Sequence, residues 1–124
     1  LEKLIHKELS YEVVGLCMEV HKILGKGHSE VVYKDALDFE FQEAGIPYSR
    51  EAQYIIPYKS IILPRKYYAD FVIDNKIILE AKATECLTKA HLKVTLNYPA
   101  ISKLRLGLLA NFGEDSLTHQ RVVL

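Results

Sequence analysis

The chain has 124 residues and a mass of 14.2 kDa, and 49% of its residues are hydrophobic, enough for one compact domain with a real core, so residues 1–124 are read as a single unit. Sixteen basic and sixteen acidic side chains cancel to a formal net charge of zero, which excludes a global field drawing the protein onto a polyanion and leaves only local contacts. Two cysteines, Cys17 and Cys86, are too few for a disulfide framework and lack metal-site spacing, and no apolar run approaches the roughly 18 residues of a membrane span. The expectation is a cytoplasmic chain with no signal peptide and no membrane contact, although an opening at Leu1 rather than Met leaves room for a preceding segment.

Taken in order, Val13, Leu16, Cys17, Val20 and Ile23/Leu24 recur with the spacing of one helix face and predict a helix over about residues 10–24, stopped by Gly25-Lys26-Gly27. Ser29 is placed to cap a second helix reaching about residue 44, with Glu30, Tyr33, Leu37 and Phe41/Ala44 on one face and Gly45-Ile46-Pro47 ending it. The period then changes. Residues 48–58 and 61–63 read as strands about a short turn, with Pro57 and Pro64 marking edge positions or irregular ends. Residues 67–73 and 77–83 form a hairpin across Asp74-Asn75. Thr88 can cap a third helix to about Tyr98, where Pro99 ends or kinks it. Residues 105–111 read as a buried strand, Gly113-Glu114-Asp115 as a turn, and 119–123 as an outer strand. The fold class is therefore α+β, a mixed sheet with helices packed on it.

The hairpin carries the chemistry. Glu80-Ala81-Lys82 closes the apolar run Ile77-Ile78-Leu79, and Asp70 lies ten residues earlier. Alternation puts Glu80 and Lys82 on the face of Ile78. A two-residue loop would pair Asp70 with Leu79 and send the two acids to opposite faces; a three-residue loop centred on Asn75 pairs Ile73 with Ile77 and sets Asp70 opposite Glu80. An odd loop or a bulge is expected. Facing carboxylates repel by about 4 kcal/mol for unit charges ~4 Å apart at an effective dielectric of ~20, a cost that a divalent cation turns into affinity. The competing reading of Asp70, Glu80 and Lys82 is a structural ion cluster on a half-exposed sheet face.

Other polar residues carry weaker signals. Lys59, Arg65 and Lys66, beside Tyr67 and Tyr68, are the best local candidates for a nucleic-acid backbone contact, against the plainer reading of a solvated surface. Tyr33 and Tyr98 read as supporting core residues whose hydroxyls reach a polar group, and His21 as a hydrogen-bonded packing residue. Glu30, in the first turn of its helix, is either a dipole-compensating acid or an outer member of the site.

With Gly27-His28-Ser29-Glu30-Val31-Val32-Tyr33, Asp70, Glu80-Ala81-Lys82 and the run Gly107 to Gly113 in that order, the chain resembles the GxxExxY proteins of the PD-(D/E)xK nuclease superfamily. The resemblance implies a restriction-endonuclease-like core and metal-dependent cleavage of DNA, with RNA as a second substrate. It implies Mg²⁺, replaceable by Mn²⁺, bound by Asp70, Glu80 and the Ala81 carbonyl, with Lys82 positioning or activating water and Glu30 reaching the metal through water. The family places a Gln four residues before a Tyr on the following helix, where this chain has Val94 before Tyr98. That departure supports an alternative, a weakened nuclease fold kept as a nucleic-acid-binding or regulatory module. A homodimer is a candidate state for so small and neutral a chain.

Overall fold

A computed structural model describes residues 5–123, the side chains of residues 94–96 and 98–101 excepted. Its elements are helix α1 (Lys7–Leu24), helix α2 (Glu30–Glu43), strands β1 (Tyr48–Tyr58), β2 (Ile61–Ile73) and β3 (Ile77–Lys82), helix α3 (Lys89–Ser102), and strands β4 (Leu106–Asn111) and β5 (Thr118–Val123). The strands form one five-stranded sheet in chain order. Strands β3 and β4 are parallel, joined across α3, and the remaining neighbours are antiparallel. The mixed sheet with packed helices expected from the sequence is the observed architecture.

One face of the sheet carries the larger core. Val13, Cys17 and Val20 of α1 and Tyr33, Leu37 and Phe41 of α2 are buried against Phe71, Ile73, Leu79 and Leu108. Burial also pushes the Cys17 thiol up to about 12, which leaves it an inert core residue. The opposite face gathers Ala69, Val72 and Ile78 with Leu104, and α3 lies against β4 and β5. Strand β4 is buried throughout, as a strand covered on both faces must be. Ile23, expected on the α1 core stripe, is 67% exposed.

Several boundaries differ from the sequence expectation. Helix α1 begins at Lys7 rather than Ser10, and Ser29 holds the N-cap position of α2 without a side-chain capping bond. Thr88 does cap α3, in a reciprocal arrangement with His91. That helix continues beyond Pro99 to Ser102, since proline removes one donor from the ladder without forbidding helical φ. Strand β2 runs unbroken through Pro64, because the residues between Ile62 and Lys66 fall where the β1–β2 register shifts and a proline in a bulge owes no ladder bond.

Candidate active site

Strand β3 has two unlike seams. Toward β4 its ladder runs without a break from Ile77↔Leu106 to Lys82↔Asn111. Toward β2 it holds three pairs, Ile73↔Ile77, Val72↔Ile78 and Phe71↔Leu79, and stops. The hairpin loop sets this register: Asp74 and Asn75 take left-handed φ of 50° and 53°, and the Lys76 N–H donates to the Ile73 carbonyl at 2.9 Å. The three-residue loop anticipated from Asn75 is present, and Asp70 and Glu80 fall opposite one another.

Side chains replace the backbone ladder at that point. The Asp70 N–H donates to Glu80 Oε2 at 2.8 Å, and the Ala81 N–H donates to Asp70 Oδ2 at 2.8 Å. Each acid thus accepts from the main chain of the other strand.

The parting coincides with an irregularity on β1. The β1–β2 register passes from Arg50↔Phe71 to Ala52↔Ala69, and the intervening Glu51, across from Asp70, has φ of 54°, an uncommon conformation for a residue with a Cβ. On either side of this point the buried side chains change face. Tyr48, Phe71 and Ile73 pack into the core beneath α1 and α2, whereas Ala52, Tyr54, Tyr67 and Ala69 join the cluster on the other face. The two-stranded ribbon rolls over at Glu51 and Asp70 and leaves β3 there.

Lys34 of α2 reaches into this junction. Its Nζ lies 2.7 Å from Glu51 Oε1 and 3.2 Å from Asp70 Oδ1. Burial works against the Lys34 charge, but the hydrogen bond to Glu51 and the attraction of Asp70 outweigh it and hold its pKa above the ordinary lysine value. Arg50 ties the neighbouring stretch of β1 to the same helix through Asp35 at 2.8 Å and Asp38 at 3.2 Å.

Glu80 is the most burdened group of the cluster. It is 3% exposed, and burial, reinforced by the Asp70 charge, raises its carboxyl from 4.5 to about 8 against the opposing effects of the Asp70 N–H and of Lys82. Lys82 follows on the same face, half-buried. The segment just beyond is clamped by Asn111, fully buried, whose side chain accepts the Thr84 and Gly113 N–H groups and donates to the Thr84 carbonyl and to Glu114 Oε2. Gly113 permits this approach, since a Cβ there would stand 2.3 Å from the Thr84 carbonyl oxygen.

The donor set suits a hard divalent cation. Among the described residues no group of three or more His, Cys, Asp and Glu side chains converges in a way that could hold a metal ion, so at this seam the side chains offer only the pair Asp70 and Glu80. One or two carboxylates, completed by waters and a phosphate, are the usual holding of Mg²⁺, and Asp70 and Glu80 offer such a pair at the end of the β2–β3 ladder. The backbone adds a third oxygen. Lys82 accepts from Phe112 on the β4 side and Ala81 donates toward β2; because N–H and C=O of one extended residue point the same way, the Ala81 carbonyl also faces the gap.

The remaining sequence candidates are dispersed. Glu30 is exposed at the start of α2, and among the described residues no hydrogen bond or ion pair joins it to Asp70, Glu80 or Lys82. Tyr33 is buried and stacked on Phe112 at 4.6 Å; its hydroxyl donates to the Gly25 carbonyl and accepts the His28 N–H, which fixes the loop before α2. Lys59, Arg65 and Lys66 are exposed on the outer β1–β2 arm, Lys66 lying about 13 Å along β2 from Asp70 at a strand rise of ~3.3 Å per residue. His21 is a packing residue, its Nε2 2.8 Å from the Glu114 carbonyl, and His91 belongs to the α3 cap. The Val94 and Tyr98 side chains lie outside the described residues. Lys34, Glu51 and Asn111 were not among the candidates. Helix spacing offered a signal for the first, since Lys34 follows Glu30 by one turn on the same face.

The chain matches the family model described as the PD-(D/E)XK nuclease superfamily over residues 7–122. No curated protein matches it in sequence. A solved structure titled "Crystal structure of SSO0001" superimposes with a TM-score of 0.60 and 17% identity over 76% of this chain, which spans 50% of that one; the likeness is one of fold.

Proposed function

The chain belongs to the PD-(D/E)XK nuclease superfamily, and from that premise we propose that it hydrolyses phosphodiester bonds of nucleic acid, DNA first and RNA second, with a divalent cation held at the interrupted β2–β3 seam. The observation that carries this reading is the reciprocal bonding of two acids across the seam, with Glu80 buried beside Asp70 and its carboxyl at about 8. Nothing in a merely structural cluster calls for two carboxylates side by side at a break in a ladder, because a buried acid pair costs more than the apolar contact it displaces.

Asp70, Glu80 and the Ala81 carbonyl would hold the ion, and Mg²⁺ or Mn²⁺ is the kind that an all-oxygen set would take. When bound, such an ion neutralises charge on the scissile phosphate and acidifies water. Lys82, on the face of Glu80, holds the attacking water and offsets the negative charge that develops on the phosphoryl oxygens. Lys34 and Glu51 keep the Asp70 carboxylate turned into the gap, and Asn111 fixes the chain just after Lys82. Lys59, Arg65 and Lys66 on the projecting arm contact the backbone of the substrate at a distance from the cut.

The test is hydrolysis of end-labelled single-stranded and duplex DNA and RNA with Mg²⁺ or Mn²⁺, run beside Asp70→Ala and Lys82→Ala. Metal-dependent cleavage lost in both variants is the expected result; cleavage unchanged in both overturns the assignment.

A further inference from the structure

Strands β1 and β2 outrun the sheet they belong to. Strand β2 pairs with β3 only through Phe71, Val72 and Ile73, so from residue 69 outward the ribbon is two-stranded, ending at Tyr58↔Ile61. At a rise of ~3.3 Å per residue, Ile61 lies about 30 Å along β2 from Asp70. The base of the ribbon is packed, with Ala52, Tyr54, Tyr67 and Ala69 in the cluster that includes Leu104. Among the described residues, none of residues 55–66 joins either core cluster. The tip is apolar on both faces: Tyr58 pairs with Ile61 and Pro57 with Ile62, and successive pairs point their side chains to opposite sides of the ribbon. Tyr58, Ile61 and Ile62 are 54%, 57% and 60% exposed. The arm's charge has one sign. Residues 52–69 include Lys59, Arg65 and Lys66 and no acid, in a chain of net charge zero, and among the described residues none of the three cations has an ion pair. Lys59 occupies the turn, its Nζ 5.7 Å from the centroid of the Tyr58 ring.

We infer that this arm is a finger for unpaired nucleotides, its tip seated between bases and its cations on the flanking phosphates, so that the substrate is nucleic acid with a single-stranded stretch. Charge and shape select that occupant. Cations without acids complement a polyanion, whereas a second copy would bring three like charges against them. Apolar side chains on both faces of a thin ribbon are covered by insertion, whereas a flat protein surface covers one face. Bases offer apolar faces to such a wedge, and every base offers them, so the contact is tolerant of sequence. Seating the tip costs least where bases are already apart, since unstacking a duplex step costs a few kcal/mol. The inference names the substrate class of the nuclease reading and rests on it for the cut, but the binding itself requires neither metal nor cleavage.

The experiment is fluorescence anisotropy of the purified chain with labelled single-stranded, blunt duplex and single-strand-tailed duplex oligonucleotides in EDTA, followed by cleavage of the same three with Mg²⁺. The wild type is expected to bind the single-stranded and tailed forms roughly tenfold or more tighter than the blunt duplex. Tyr58→Ser combined with Ile61→Ser should remove that preference and leave duplex affinity within a few-fold, while Tyr58→Phe keeps it. Lys59→Ala combined with Arg65→Ala should weaken all three forms alike and lower the slope of log K against log salt by about two. Equal affinity for blunt duplex and single strand overturns the inference, and so does a preference that survives in the tip double variant. The two readings fail separately: a tip-dependent preference without cleavage keeps the finger and removes the nuclease, and metal-dependent cleavage without the preference does the reverse.

Discussion

The two seams of β3 are made by one strand under the same solvent and differ in what fills them. On the β4 side, six consecutive pairs close a ladder flanked by Leu106, Leu108, Leu109 and Ala110, all buried. On the β2 side the ladder ends after three pairs, and two acids complete the hydrogen bonding with their side chains. The first seam is optimised for stability. The second keeps backbone donors satisfied while holding negative charge in a place where apolar packing would be cheaper, and that surplus is what a cation can use. The comparison teaches that the site is built less by adding residues than by stopping a sheet early: Glu51 turns the ribbon over, and the vacated ladder positions become carboxylate positions.

Glu80→Gln breaks the comparison most sharply. The amide is isosteric and its oxygen can still accept the Asp70 N–H, so the fold should survive, but the charge proposed to bind the ion is gone. Cleavage should fall by about 10³-fold or more, while the metal-free Tm rises at pH 8, because removing the buried charge relieves its repulsion with Asp70. An activity assay beside a melting curve reads both effects, and a Tm that drops with activity would place Glu80 in an ordinary structural cluster.

The closed seam should respond in the opposite sense. Leu106→Ala removes a side chain 0% exposed in the main core and should cost about 2–5 kcal/mol in denaturant unfolding, with the metal dependence of the remaining folded protein unchanged.

The pH dependence of the metal-free protein separates the seams a third way. The folded-state pKa of Glu80 is raised from 4.5 to about 8, so between those values the native chain holds a proton that the unfolded chain has released. Stability is complete below the lower value and declines as pH climbs through the window, by on the order of a few kcal/mol. Urea unfolding from pH 5 to 8 should show this decline; saturating Mg²⁺ or Glu80→Gln should flatten it.

Asn111→Ala loosens the chain beyond Lys82 and leaves the Thr84 groups without their partner. It should cost about 1–3 kcal/mol and lower cleavage more than it lowers metal affinity. Smallest of all, Lys66→Ala on the exposed arm should weaken nucleic-acid binding a few-fold and reduce the slope of log K against log salt by about one.

Sequence carried the hairpin further than the ribbon beside it. Asn75 tolerates a left-handed conformation, and the apolar run before Glu80 has only one register that keeps both acids together, so local chemistry determined the loop. The face reversal at Glu51 has no such mark. No glycine or proline signals it, and the left-handed Glu51 is accompanied by contacts between separate elements, Lys34 on Glu51 and Arg50 on Asp35 and Asp38. Lys34 carries no local mark for a related reason: its contacts with Glu51 and Asp70 depend on how α2 sits on the sheet. Helix α3 continues past Pro99, because a proline weakens or kinks a helix by a lost bond and a crowded carbonyl without always ending it, whereas Pro64 does fall at an irregular stretch, where the β1–β2 register shifts.

The most direct test of the central claim is a crystal soaked in Mn²⁺ and measured for anomalous scattering. The account predicts a peak between the Asp70 and Glu80 carboxylates, beside the Ala81 carbonyl, absent from Glu80→Gln crystals treated in the same way. A map with no peak at that seam at high Mn²⁺, or one whose peak persists in Glu80→Gln, would contradict it.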